Sequence, residues 1–206
     1  MGHDLPIYSD AIFRSANPFP VLETIQEGEV ARCLERFDRG LDFGEGAGSP
    51  ASALQSIGGV GRVDIVALHQ RMFTPRAGAG TLRTSTVAAR FRGQDCPDPE
   101  FIAQSLDNLE KWLQVDSMAE LHPIQQTAMV LTRLIDIWPF EFGNRTTATV
   151  FANGFLYRAG LPPFFIPAGQ VEEFETILAH AITMQTEGLV RAIYKCIERE
   201  LELVRS

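Results

Sequence analysis

Apolar side chains recur along much of this chain every three or four residues, the spacing that lines one face of a helix. Val21, Ile25, Val30, Leu34 and Phe37 form the first such stripe and predict a helix over 21–37. Val63, Val66, Ala67 and Met72 mark a shorter one in VDIVALHQRMF. Asp98 and Pro99 open a third, since Asp can cap a first turn and Pro is tolerated at its first position. From there Ile102, Leu106, Leu109 and Leu113 share one face, ending near Gln114. Residues 123–137 carry Ile124, Ala128, Leu131 and Ile135, and Met129, Val130, Leu134 and Ile137 widen that stripe. So broad an apolar surface predicts a central, heavily buried helix.

TATVFANGFLYRAG is apolar on most sides and is expected to be that helix's buried partner, stopping at Gly160 before Pro162 and Pro163. Residues 171–204 predict two more helices broken near Gly188, the last with Ile193, Ile197, Leu201 and Val204 on one face. Residues 1–20, with Pro6, Pro18 and Pro20, predict an irregular arm. RGLDFGEGAGSPASALQSIGGVG predicts a glycine-rich mobile connector. PRAGAGTLRTSTVAARFRG mixes glycines, β-branched and basic residues and suits a short hairpin. The fold class is therefore mostly α with one small β element. The expected division is an arm, helix and loop over 1–62, a core over 63–170, and C-terminal helices packed on it over 171–206.

Composition narrows the function. The 206 residues are 45% hydrophobic and 21% charged, which supports a globular core. A net charge of -8 argues against non-specific nucleic-acid binding, which needs clustered Lys and Arg. Cys33, Cys96 and Cys196 form no C-x-x-C pair, so reduced thiols are expected rather than a disulfide framework or a zinc knuckle. MGHDLPIYSDAIF lacks the features of a secretory signal, and no run reaches the roughly 20 apolar residues of a membrane helix. A cytoplasmic protein with no membrane partner is expected.

The candidate chemistry lies in WPFEFGNRTTATVF, residues 138–151, between the two most apolar helices. A loop there leaves backbone N–H groups at the start of the second helix, and those donors attract an anion. Gly143 allows close approach, Asn144 can turn or cap, and Arg145, Thr146 and Thr147 can add charge and hydroxyl donors. A plain helix–turn–helix corner capped by Asn144 or Thr146 explains the same residues.

The stretch AELHPIQQTAMVLTRLIDIWPFEFGNRTTATVFANGFLYRAGLPP resembles the core of the Fic/Doc (Fido) family, whose loop pattern is HPFx(D/E)GNGRxxR. Pro139, Phe140, Gly143 and Asn144 match it. GTLRTSTV resembles the family's flap, with Leu82, Arg83, Thr84 and Val87 in it, and PDPEFIAQSLDNLEKWLQ resembles its proline-led helix. The resemblance implies a Fic-type helical bundle with a short β-hairpin flap. It also implies a protein nucleotidyltransferase that uses ATP and Mg²⁺ and receives a target peptide on the flap.

The sequence departs from that pattern where the chemistry should be. Trp138 stands on the catalytic His, and indole has no lone pair with which to accept a proton. Phe142 stands on the metal acid, Arg145 on the second Gly, Thr146 on the first Arg and Thr149 on the second. These changes predict loss of ordinary AMP transfer and of Mg²⁺ binding, with an anion or nucleotide pocket retained. Trp138, Phe140 and Phe142 would wall the pocket, Trp138 either plugging it or stacking on a ligand. Residual catalytic candidates are Glu141, Arg145 and Thr146. His69 and His122 read as packing or capping residues, and His180 as a surface one. TMQTEG, residues 183–188, fits the family's inhibitory pattern loosely, so Glu187 reads as an ordinary helix-end residue. Two alternatives stand beside the anion pocket: altered chemistry on a small molecule, and a non-catalytic protein that captures a peptide on the flap.

Overall fold

The computed structural model describes residues 18–40, 48–86, 96–166, 168–183 and 185–206. Among them are nine α-helices: α1 Glu29–Gly40, α2 Pro50–Gln55, α3 Arg62–Phe73, α4 Pro99–Leu113, α5 Asp116–Ala119, α6 Pro123–Ile137, α7 Asn144–Arg158, α8 Val171–Ile182 and α9 Glu187–Arg205. None is long and apolar enough to cross a membrane.

The α6–α7 pair is the axis of the molecule, with α2 and α3 against α7 and with α4, α8 and α9 against α6. Pro123 opens α6 after His122, whose Nδ1 accepts the Ile124 N–H at 3.2 Å while Gln125 Oε1 accepts the His122 N–H at 3.0 Å. The capping role expected of His122 is the one it has. Nearly all of α7 from Thr147 to Leu156 is buried, so its apolar residues surround the axis rather than form a stripe. Asn153 sits fully buried in its middle. Its side chain donates to the Phe164 carbonyl at 2.9 Å and accepts the Phe164 N–H at 2.8 Å, which satisfies the amide and pins the chain beyond α7.

Three expectations need correction. The helix expected over 21–37 is a 3-10 turn at Pro20–Thr24 followed by α1, because Gly28 at φ 82° turns the chain between them. The glycine-rich connector contains a helix, α2. Ser49 Oγ accepts the Ser52 N–H at 3.1 Å, Pro50 holds the first position, and Ala53 and Leu54 are buried. The Asp98 side chain does not cap α4, although that helix starts at Pro99 as expected.

The flap shows one isolated antiparallel bridge, between Leu82 and Phe140 of the loop, and no hairpin among the described residues. Val87 and the remainder of the expected hairpin to residue 93, like the arm through residue 17, lie outside the described residues.

Two ion pairs, Arg205–Glu29 and Arg36–Glu200, tie α1 to α9 near the two ends of the described chain. Glu29, only 1% exposed, receives Arg205 at 2.7 and 2.9 Å, and Arg205 also donates to the Thr24 carbonyl at 2.8 Å. The Arg205 hydrogen bond holds the Glu29 carboxyl down to about 2. Its stabilisation is therefore complete above the ordinary value of 4.5 and is lost as pH falls toward 2. Glu29→Gln should lower Tm at neutral pH, and melts from pH 6 downward should show the gap to wild type closing below about 4.5.

Candidate functional site

The loop between α6 and α7 begins with a backbone reversal. Trp138 caps α6 in the left-handed region, φ 49° and ψ 63°, with its N–H on the Leu134 carbonyl at 3.0 Å. It is half-buried and packs on the core. Gly143 takes the same region at φ 68° and starts α7. A Cβ there would lie 2.4 Å from two ring carbons of Phe73, so Gly143 is required by both torsion and space.

Asn144 closes the loop. Buried to 4% exposure, its Oδ1 accepts the Phe140 N–H at 2.8 Å and its Nδ2 donates to the Phe140 carbonyl at 2.7 Å. The amide pairs with the Phe140 backbone as a neighbouring strand would, and so holds the loop. Thr147 is also buried, its hydroxyl and N–H both on the Gly143 carbonyl at 2.8 and 2.9 Å. The N–H groups ahead of Thr147 enter the helix without intrahelical acceptors. Thr146 is partly exposed beside them. Arg145 is half-exposed and forms an ion pair with Glu175 of α8.

The flap segment is fastened to this loop. The Arg83 N–H donates to the Pro139 carbonyl at 2.9 Å, and its guanidinium, 2% exposed, donates to the carbonyls of Trp138 at 2.8 Å, Ser85 at 2.9 Å and Pro97 at 2.5 Å. Glu141 completes the clasp. Its carboxylate accepts the Ser85 hydroxyl at 2.9 Å and the N–H groups of Thr84 and Ser85 at 3.3 Å. The Ser85 hydroxyl, those N–H groups and the nearby Arg83 charge hold it below the usual carboxylate range.

His69 reaches the loop from α3. Its Nδ1 accepts the Gly80 N–H at 2.8 Å, so Nε2 carries the proton and donates to the Phe142 carbonyl at 3.1 Å. The ring lies flat on Phe140, centroids 3.8 Å apart and planes within 7°. Burial, aided by the Arg76 charge, pushes its pKa down to about 4. With no exposure and both nitrogens engaged, it cannot take a proton from a substrate.

Phe142 stands edge-on to Phe73, centroids 5.4 Å apart, and the Arg76 guanidinium lies 3.7 Å over its ring. The position where the resemblance puts a metal-binding acid thus carries an aromatic face covered by a cation. Mg²⁺ does not fit these residues, and among the described residues no group of three His, Cys, Asp or Glu could hold a metal.

Trp138 to Thr147 and the flap residues Leu82, Arg83 and Thr84 therefore form one neighbourhood. His122 caps α6 away from the loop, and His180 is exposed in the last turn of α8. Glu187 opens α9, whereas the carboxylate paired with Arg145 is Glu175. Arg76 and Glu175 escaped sequence reading. Arg76 belongs to a glycine-rich turn and Glu175 to an acidic helix face, and no spacing links either to the loop.

Two central helices joined by a clasped loop, inside a mostly helical bundle, define a Fic-type helical fold. Residues 60–156 match the model of the Fic/DOC family. The chain is 32% identical over 143 residues to protein adenylyltransferase Fic of Drosophila grimshawi, which covers 68% of this chain and 29% of that protein. The Drosophila melanogaster protein of the same name is 33% identical, with 68% and 28% covered. The chain thus spans less than a third of the length of the curated relatives it matches. Fic-1 from C. elegans is similar at 27% identity and TM-score 0.57, over 68% of this chain and 40% of that one. A Fic domain containing signaling protein from Bacteroides thetaiotaomicron shares the fold at 18% identity and TM-score 0.63, over 85% and 68%. The chain belongs to the Fic/DOC family.

Gly143→Ala should cost more than about 2 kcal/mol, combining left-handed strain with overlap on Phe73, and should be visible as a lower urea midpoint. His69 gives a pH signature. The unfolded imidazole takes a proton near 6.5 and the folded one only near 4, so falling pH favours the unfolded chain across that window. Wild type should lose about 3 kcal/mol on this account between pH 7.5 and 4, and His69→Gln should flatten that slope in urea titrations at each pH.

Proposed function

We propose that the loop between α6 and α7 holds a small anion, a nucleotide or another phosphate- or carboxylate-bearing molecule. On this reading it does not transfer AMP through a loop base and a magnesium carboxylate. The observation that carries it is the Arg76 guanidinium over Phe142. An exposed guanidinium lies over the residue that the family resemblance puts at the metal-ligand position, two residues before α7. Phosphate charge would then be met by Arg76, by Arg145 and by the N–H groups ahead of Thr147. A guanidinium fork suits phosphate oxygens, and a helix N-terminus attracts negative charge without a metal. Arg145 would exchange its Glu175 partner for the ligand, or share it.

Proton abstraction is the step this neighbourhood is least suited to perform. Trp138 cannot accept a proton, His69 is enclosed with both nitrogens engaged, and Glu141 is engaged by Ser85. General-base help is typically worth roughly 10² to 10⁴ in rate. The involvement of Glu141 in holding the flap also weakens the reading of altered small-molecule catalysis through that carboxylate.

Calorimetry with ATP, ADP and AMP should detect binding that is the same with and without Mg²⁺. Arg76→Ala and Arg145→Ala should each weaken it by roughly ten-fold, the loss of about one charge-assisted contact. ATP labelled on its α-phosphate should leave no label on lysate proteins. Failure of all three nucleotides and of inorganic phosphate to bind would overturn the anion reading. Metal-dependent labelling would overturn the loss of transfer.

A further inference from the structure

A cavity lies between α8 and α9, on the far side of α8 from Arg145, and takes no part in the loop. Its volume is about 470 Å³, within the roughly 300–1,000 Å³ usual for small-molecule sites. It exists because α9 presents small side chains there. Gly188, Ala192 and Cys196 recur every fourth residue and so share one face. At Gly188 the helices close up, where an added Cβ would just touch Ile177 at 3.6 Å. Beyond it Ala192 and Cys196 leave the gap open.

The floor is apolar: Phe165 and Phe174 are buried, with Ile166 and Ile177 half-buried beside them. Burial pushes the Cys196 thiol up to about 11, so it adds to the apolar wall as an un-ionised thiol. The rim has the opposite character. Arg191, Lys195 and Arg199 follow each other at four-residue steps of about 6 Å along α9. Among the described residues, Lys195 and Arg199 have no ion-pair partner. The acids that line the cavity are Glu173 and Glu200, and Glu200 is already bound by Arg36 at 2.7 Å. In a chain of net charge -8, three cations gathered at the mouth of an apolar cleft are a local reversal of sign.

We infer that this cleft binds a small amphipathic anion: a medium-length acyl chain lying on Phe165, Phe174 and Ile177, with its carboxylate or phosphate head on Lys195 and Arg199. The chain removes apolar floor from water, and the head meets cations that lack a carboxylate partner.

The test is calorimetry on the full chain with decanoate and decyl phosphate, each below its micelle concentration. Decan-1-ol and inorganic phosphate serve as controls for the chain and the head alone. One or both amphiphiles should bind the Arg145→Ala chain, whose loop contact is weakened, more tightly than either control does. Lys195→Glu with Arg199→Glu should weaken that binding by roughly ten-fold or more. Both positions are exposed, so this variant should fold. Ala192→Phe should abolish binding by filling the cleft, with circular dichroism reporting its fold, and Arg145→Ala should bind the amphiphiles as wild type does. The proposal is overturned by no binding of either amphiphile, by decanol binding as tightly, or by undiminished affinity in the charge-reversed variant.

Discussion

One neutral imidazole joins the three segments that make the loop. His69 comes from α3, accepts the Gly80 N–H of the flap segment and donates to the Phe142 carbonyl, while its face covers Phe140. Only the neutral ring has both an acceptor and a donor, so this bridge requires the uncharged form. Burial enforces it, and the Arg76 charge nearby works in the same direction. Protonation would remove the acceptor and place two cations side by side. The geometry around residue 142 and the packing of the flap therefore depend on a proton being kept off one buried ring.

The same economy governs the other polar groups. Asn144 and Asn153 lie on one helix, and each imitates a strand partner for a phenylalanine backbone, Phe140 before α7 and Phe164 after it. Arg83 is a buried cation held by carbonyl dipoles, with Glu141 close enough to feel its charge. These groups would be costly to bury unpaired, and each has its partners. Asn144, Arg83 and Glu141 each have backbone or side-chain partners within the loop and the segment laid on it, while Arg76 and Arg145 are exposed beside it.

Much of this was legible beforehand. The period of apolar residues marked α6 to within its exact ends and anticipated α7, α4 and the break before α9, because long helices bury a face and that face must repeat. The shared loop residues and flap pattern pointed to the family. Local chemistry was less visible. Ser49–Pro50 is a sound helix start, yet glycines on both sides concealed α2. Gly28 interrupted a stripe whose spacing continued across it. Asn144 was expected as a cap or a ligand donor, but its partner is the backbone four residues earlier.

The sequence by itself determined the helical class and the central apolar pair, since these depend on residue type and on periods of a few positions; that Trp138 and Phe142 stand at the base and acid positions is what the family resemblance implies. Tertiary structure alone decided that Arg76 covers Phe142, that Glu175 engages Arg145, that Glu141 faces the flap and that α8 and α9 enclose a cation-rimmed cleft. Each joins residues about 30 or more positions apart, or on separate helices. A side chain's partner across such a distance is set by how whole helices pack, which no local spacing encodes.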